Sequence, residues 1–335
     1  METQDSRNPA VSVQNETGVG VLDEERRKLH EQPLWKVRVQ LSLKSLHANW
    51  RLFAENKIGL FGLCIIVFFA LFALAHPIMM TYVWDPAIYH PIRGFDAMVA
   101  PHPAPPSERH WLGTDPMGRD ILSQLMYSTR AAFILGAVAA FVTVTIGTTI
   151  GAVSAYFGGW VDTIFMRFAD IIITLPTIVL LIVLSALFDM DLFSLAIVLG
   201  IVFGFGGTTI VLKSQALTIK VRTYVEAARV AGGSTWHIIF RHIVPNLLPL
   251  SFLYMMFTVT DAIFTESALS FFGLISVGMS WGLMINTASV SGYLLNFETW
   301  WLMFPTGLSI TLLCAAFYLV GRALDEVVNP RLRKR

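Results

Sequence analysis

A chain of 335 residues in which 55% are hydrophobic and only 14% charged, with mean hydropathy +0.62, lacks the composition of a water-soluble domain; there about a quarter of residues carry charge. The setting is a lipid bilayer. The net charge of +1 offers no argument for nucleic acid or an acidic partner, and the two cysteines, Cys64 and Cys314, both lie in apolar runs, which speaks against a disulfide framework or a thiolate metal site.

Residues 1–33 are polar and mixed in charge, with too few apolar residues to form a core, and read as a disordered cytoplasmic tail. Nothing like the apolar stretch of a cleavable signal peptide precedes residue 58. Over 34–57, Val39, Leu43, Leu46, Trp50 and Phe53 recur at intervals of three and four among Lys36, Arg38, Lys44 and Arg51. That spacing suits an amphipathic helix lying at the inner membrane surface, or a lead-in to the first span.

Apolar runs of spanning length then fall near 58–80, 131–155, 170–188, 192–212, 247–272 and 301–321, giving an all-α integral membrane protein with six transmembrane helices. An even number of spans puts both termini on one side. Lys44, Arg51 and Lys57 before the first span, Lys213, Lys220, Arg222, Arg229 and Arg241 in the fourth connection, and Arg331, Arg333, Lys334 and Arg335 at the end place that side in the cytoplasm. The 81–130 connection, with mixed charge, is placed outside, and 322–335 form a basic cytoplasmic C-terminus.

In the outer connection, Thr114 or Asp115 is a candidate N-cap for a surface helix beginning at Pro116, with Ile121, Leu122, Leu125 and Met126 as its apolar stripe. Asp115, Arg119 and Asp120 can pair along such a helix, and no nucleophile or metal spacing accompanies them. In the second span, Gly136, Gly147 and Gly151 read as close helix contacts. No internal repeat is visible, so an inverted-repeat carrier gains no support.

Between the fourth and fifth apolar runs lies a polar segment, 213–246. Glu226, Ala227 and Ala228 favour helix; Gly232 and Gly233 can end it, and Ser234 can cap a following helix over 235–242. Pro245 and Pro249 are expected to break the chain as it re-enters lipid. A helix-turn-helix between two spans is a docking surface, or else an ordinary loop. Further on, Asp261 and Glu266 are costly inside a span and by default face a cavity or a partner.

Glu226-Ala227-Ala228-Arg229-Val230-Ala231-Gly232 followed by His242-Ile243-Val244-Pro245-Asn246 resembles the cytoplasmic coupling loop of ABC-importer permeases, closest to the dipeptide, oligopeptide and nickel branch. Similar stretches recur at Gly113-Thr114-Asp115 to Gly118-Arg119-Asp120, at Tyr156-Phe157-Gly158-Gly159 with Asp162, Met166, Arg167, Asp170 and Pro176, at Glu266 to Leu274, at Ser280-Trp281-Gly282, and at Asn329 to Arg333. The match covers about 55–335. It departs from the family at 275–279, where a proline-rich link is usual, and in its long N-terminal tail.

The resemblance implies a type I importer permease fold over 131–321, with Glu226, Ala227, Ala228, Gly232 and Pro245 as residues coupling it to an ATPase. Asp261 and Glu266 are candidates for the pathway or a helix interface. It implies a homologous second permease, two cytoplasmic ATP-binding subunits and an extracytoplasmic solute-binding protein, in a bacterial or archaeal inner membrane. No cofactor is expected on this chain, since ATP and magnesium would be held by the ATPases, and no phosphate-binding loop occurs in its sequence. Two rivals stand beside this reading: a proton-coupled carrier using Asp261 and Glu266, and an intramembrane enzyme using Asp115, Arg119 and Asp120. The cargo is not legible.

Overall fold

The computed structural model describes residues 50–275 and 278–328. The tail 1–33, most of the interfacial helix expected over 34–57, and residues 329–335 lie outside the described residues. Residues 50–55, the described part of a separate unit that ends at Glu55, are helical, with the Trp50 ring stacked on Phe53.

Among the described residues, five helical stretches are long and apolar enough to cross a membrane, and a sixth is reached when two helices joined at a sharp bend are taken as one span. In chain order the principal elements are α1 (Lys57–Tyr82), α2 (Ile121–Phe157), α3 (Gly159–Thr174), α4 (Thr177–Leu187), α5 (Leu192–Phe203), α6 (Thr209–Lys220), α7 (Thr223–Val230), α8 (Thr235–Ile238), α9 (Val244–Phe271), α10 (Trp281–Val290) and α11 (Trp300–Val328). No strand occurs among the described residues; one isolated bridge pairs Thr114 with Asp120.

Several spans run longer than their apolar stretches. α2 has 37 residues, about 55 Å at 1.5 Å per residue, against a hydrocarbon thickness of about 30 Å. Its first turns therefore belong to the connection expected at 81–130. On the opposite side the polar segment is shorter than 213–246. Helix continues through Lys220 and resumes at Thr235, because the inner lysines have partners: Lys213 pairs with Asp162 at 2.5 Å, and Lys220 Nζ donates to the carbonyls of Ala155 and Tyr156 at 2.9 and 2.8 Å.

The span expected at 170–188 is not a single helix. α3 stops at Thr174, Leu175 is extended, and α4 leaves at 91° to α3. Pro176 is the cause, since its ring excludes helical backbone at the preceding residue. The fourth crossing, α5–α6, is interrupted at Gly204–Thr208, where Gly206 leaves helical geometry (φ −79°, ψ −136°). By contrast Pro245 and Pro249 do not break the chain. A wider turn over Ile239–Ile243 precedes α9, Pro245 falls in its first turn, where a missing N–H costs least, and the helix runs on to Phe271.

α2 is the central element, packed against α5, α6 and α9. Small residues permit the contact. A Cβ on Gly151 would lie 2.8 Å from the Lys213 backbone nitrogen, and one on Gly136 would lie 2.7 Å from Val259. Thr148 and Ser251 share a buried hydrogen bond of 2.7 Å between α2 and α9, and Thr143 donates to the Gly200 carbonyl of α5. At the outer end, Phe69, Ile121, Val259, Ile263, Trp281, Trp301 and Phe317 form one buried cluster. The segment at Ser280-Trp281-Gly282, between the fifth and sixth apolar runs, is the start of α10, buried against α9; a Cβ on Gly282 would sit 2.3 Å from the Ser267 carbonyl.

Candidate functional site

The polar segment between α6 and α9 is a helix-turn-helix with an explicit stop. Gly232 adopts φ +81°, its N–H reaches the Arg229 carbonyl at 3.0 Å, and the Gly233 N–H reaches back to Ala228 at 3.0 Å. Those two bonds satisfy the last carbonyls of α7 in the glycine-dependent C-cap. Ser234 then caps α8, its hydroxyl accepting from the His237 N–H. One face of the element is anchored. Val225, Ile238, Ile239, Ile243 and Leu247 are fully buried with Ala152, Ala155, Ala216 and Ile219 from α2 and α6. The Tyr156 ring lies 5.8 Å from the Lys220 ammonium and 5.6 Å from the Arg229 guanidinium, contacts that tie the end of α6 and α7 respectively to the end of α2.

The other face is open. Glu226 sits exposed in the first turn of α7, where its charge complements the helix dipole, and Ala227 is exposed beside it. Val230 is 89% exposed, and Trp236 and Phe240 stack with half their surfaces free. The element brings Glu226, Ala227, Ala228 and Gly232 together. Pro245 is exposed too but lies beyond the turn, on α9.

The second feature is a cavity of about 480 Å³ beside α9. Its walls come from the bent third crossing (Ile172, Ile173, Thr177), the kink in the fourth (Phe203, Gly206) and Tyr254, Phe257, Thr258 and Asp261 of α9. The α9 contributors follow at three- and four-residue steps, so they share one face. Glu266 is elsewhere. It is buried at the outer part of α9, accepting a 2.7 Å hydrogen bond from the Ser270 hydroxyl one turn on.

Against known families, residues 147–334 match the binding-protein-dependent transport system inner membrane component, and residues 46–91 match the N-terminal transmembrane domain of oligopeptide transport permease C. The chain is 32% identical to a dipeptide transport system permease protein of Bacillus subtilis over 88% of each chain. It is 34% identical to that organism's oligopeptide transport system permease protein, over 84% of this chain and 88% of the relative. To a glutathione transport system permease protein of Pectobacterium atrosepticum it is 33% identical, over 68% and 75%. The chain belongs to the binding-protein-dependent inner-membrane permease family. It is a multi-pass membrane permease component of an ABC importer, with the type I importer permease fold.

In this permease the motif around Asp115, in the connection between α1 and α2, is closed on itself. The helix expected from Pro116 begins instead at Ile121, with Asp120 as N-cap accepting from the Ser123 N–H at 2.7 Å. Residues 114–120 form a tight turn, because Asp115 spends its acceptors locally: on the N–H groups of Met117 and Arg119, on Arg119 Nε at 2.7 Å and on Gln124 Nε2 at 2.9 Å. Asp115 and Arg119 thus pair across a turn and not along a helix. His110, fully buried, lies between two carboxylates, its Nδ1 2.8 Å from Asp120 and its Nε2 3.2 Å from Asp96. A neutral imidazole has one donor for those two acceptors, so the arrangement calls for the imidazolium.

The hydrogen bond to Asp120 is the main influence lifting the His110 pKa above 6.5, against burial. For Asp96, burial is the largest single influence and disfavours the carboxylate, but the Met98 N–H, His110 and Arg109 together outweigh it and hold the carboxyl below 3.8. Every member of the cluster has a protein partner. Trp301 Nε1 donates to the Thr114 carbonyl at 3.3 Å, joining the motif to the start of α11. The sequence reading missed Asp96, ten or more residues away with no spacing to mark it, and missed the α9 face shared by Tyr254, Phe257, Thr258 and Asp261, whose periodicity was there to be read.

Proposed function

We propose that this permease forms half of the translocation pathway of an ATP-driven importer for peptides or similar small solutes, and transmits ATPase closure through α7 and α8. The observation that carries this is the helix-turn-helix of α7 and α8: one face fully buried against α2 and α6, the other leaving Glu226, Ala227, Val230, Trp236 and Phe240 exposed. A rigid element so anchored moves with whatever holds it and tilts the helices beneath. Its partners in this reading are a homologous second permease, two cytoplasmic ATP-binding subunits and an extracytoplasmic solute-binding protein, with both termini of this chain cytoplasmic. The permease itself catalyses no covalent step and holds no cofactor; ATP and magnesium stay with the ATPases. The names of the dipeptide, oligopeptide and glutathione permeases support a peptide-like cargo.

The test is uptake of a labelled peptide into vesicles carrying the whole complex. Import should require hydrolysable ATP and persist when an uncoupler removes the proton gradient. Collapse with uncoupler at constant ATP would favour the proton-coupled carrier. The arrangement of the acids weighs against that rival: Asp261 faces the cavity, whereas Glu266 is buried and bonded to Ser270, so the two do not form one relay.

A further inference from the structure

Asp261 lies ten residues before the outer end of α9 at Phe271, about 15 Å in along the helix and so near the middle of a hydrocarbon layer about 30 Å thick. A charge at that depth is retained only when it faces water, a partner or a ligand. Here it faces the cavity, whose lining among the described residues contains no lysine, arginine or histidine to neutralise it. On the same face of α9 stand the rings of Tyr254 and Phe257, and Phe203 contributes a third from the kinked crossing. Thr177 adds a hydroxyl from the first turn of α4, and Ile172 and Ile173 leave the rest apolar.

A carboxylate in a cavity lined by aromatic side chains is the chemistry that holds an ammonium ion, by charge and by cation–π attraction together. It repels a carboxylate or phosphate. The geometry points to Asp261 as a contact for a primary ammonium group of the cargo during its passage, the α-amino end of a peptide being the matching class. The inference rests on reading this permease as the lining of a transport path. It goes further in assigning a charge preference to one residue of that lining. The kinked and bent neighbours serve it physically: the bend at Pro176 and the break at Gly206 open space opposite Asp261 where straight helices would close it.

Two measurements on the purified, fully assembled complex test it. In a background with Cys64→Ala and Cys314→Ala, Thr177→Cys places a thiol on the opposite wall of the cavity. Its reaction rates with 2-aminoethyl and 2-sulfonatoethyl methanethiosulfonate report the local potential without reference to any cargo. Asp261→Asn should lower the cationic-to-anionic rate ratio by about tenfold, the scale of a unit charge across a cavity of intermediate dielectric. Asp261→Glu should restore it. A ratio unchanged by Asp261→Asn means a neighbouring chain already neutralises the carboxylate, and the proposal is wrong.

The second measurement is ATP-dependent uptake of trialanine into proteoliposomes with the binding protein at saturation. Asp261→Asn should cut the maximal rate by about tenfold while the binding protein still stimulates ATP hydrolysis, and Asp261→Glu should recover most of it. Wild-type uptake matched by Asp261→Asn would overturn the proposal and leave the importer reading intact. Absence of ATP-dependent uptake in the wild-type complex would instead sink the peptide-importer reading, with the thiol ratio still deciding the character of the cavity.

Discussion

Substitutions at Gly232 separate backbone geometry from surface chemistry in the inner element. At φ +81° with nothing within 4 Å of where a Cβ would stand, the residue meets no steric neighbour. The whole penalty of a side chain is then the cost of the left-handed conformation, roughly 1–2 kcal/mol for an ordinary L-residue and greatest for a β-branched one. Asparagine tolerates that region and should cost a fraction of it. Since each 1.4 kcal/mol is about a tenfold change in population, Gly232→Val should leave the α7–α8 turn misformed in a large share of molecules, with Gly232→Ala intermediate. The buried anchors Val225, Ile238 and Ile239 are untouched, so the protein should still insert at near-normal levels. The assay is co-purification of the ATP-binding subunits with ATP-driven uptake in the same membranes, and the expected order is Asn above Ala above Val. Normal coupling in Gly232→Val, or an Asn variant as impaired as Val, would refute the conformational argument.

At the outer face, His110 has a raised pKa, so its stabilisation is present below the unfolded value of 6.5 and is lost as pH rises through the higher folded one; Asp96 has a lowered pKa, so its contribution is present above 3.8 and lost as pH falls through the folded value. Hydrogen-exchange protection factors over residues 90–120, corrected for the intrinsic pH dependence of amide exchange, should therefore be highest between those limits and fall as pH rises through the folded His110 value, and His110→Gln should abolish that alkaline fall. Gly151→Val, whose Cβ would sit 2.8 Å from the Lys213 nitrogen and 3.1 Å from the Leu212 carbonyl carbon, should destabilise the α2–α6 contact by about 1–3 kcal/mol, read as a lower unfolding temperature in detergent. For orientation, with both native cysteines removed, Met98→Cys at an exposed outer position should react with an impermeant thiol reagent on intact cells, and Glu226→Cys only after the membrane is opened. The reverse order would invert the topology.

Apolar length was enough to place five crossings and the region of the bent pair, and the Gly232–Ser234 stop and cap between α7 and α8 were readable because both depend on local backbone chemistry. Where the reading went astray, long-range contacts decided. Lys213 looked like a loop residue until Asp162 was brought beside it. Pro245 looked like a break because its sequence position does not reveal the wider turn that accommodates it. Pro116 looked like a helix start, yet Asp115 folds the chain back on Arg119 and leaves the capping to Asp120. The bend at Pro176 was latent in the rule for residues preceding proline, whereas the burial of Trp281 and the space facing Asp261 arise only when α9, α10 and the bent third crossing come together.

The central claim is that the open face of α7–α8 is where an ATP-binding subunit sits. A photo-reactive amino acid placed at Val230, which is 89% exposed and outside the buried anchor, tests it directly when irradiated in the assembled complex. The account predicts a cross-link to the ATP-binding subunit, weakened when Gly232→Val is added. A cross-link only to lipid, to the second permease or to nothing, in a complex that still imports, would contradict it.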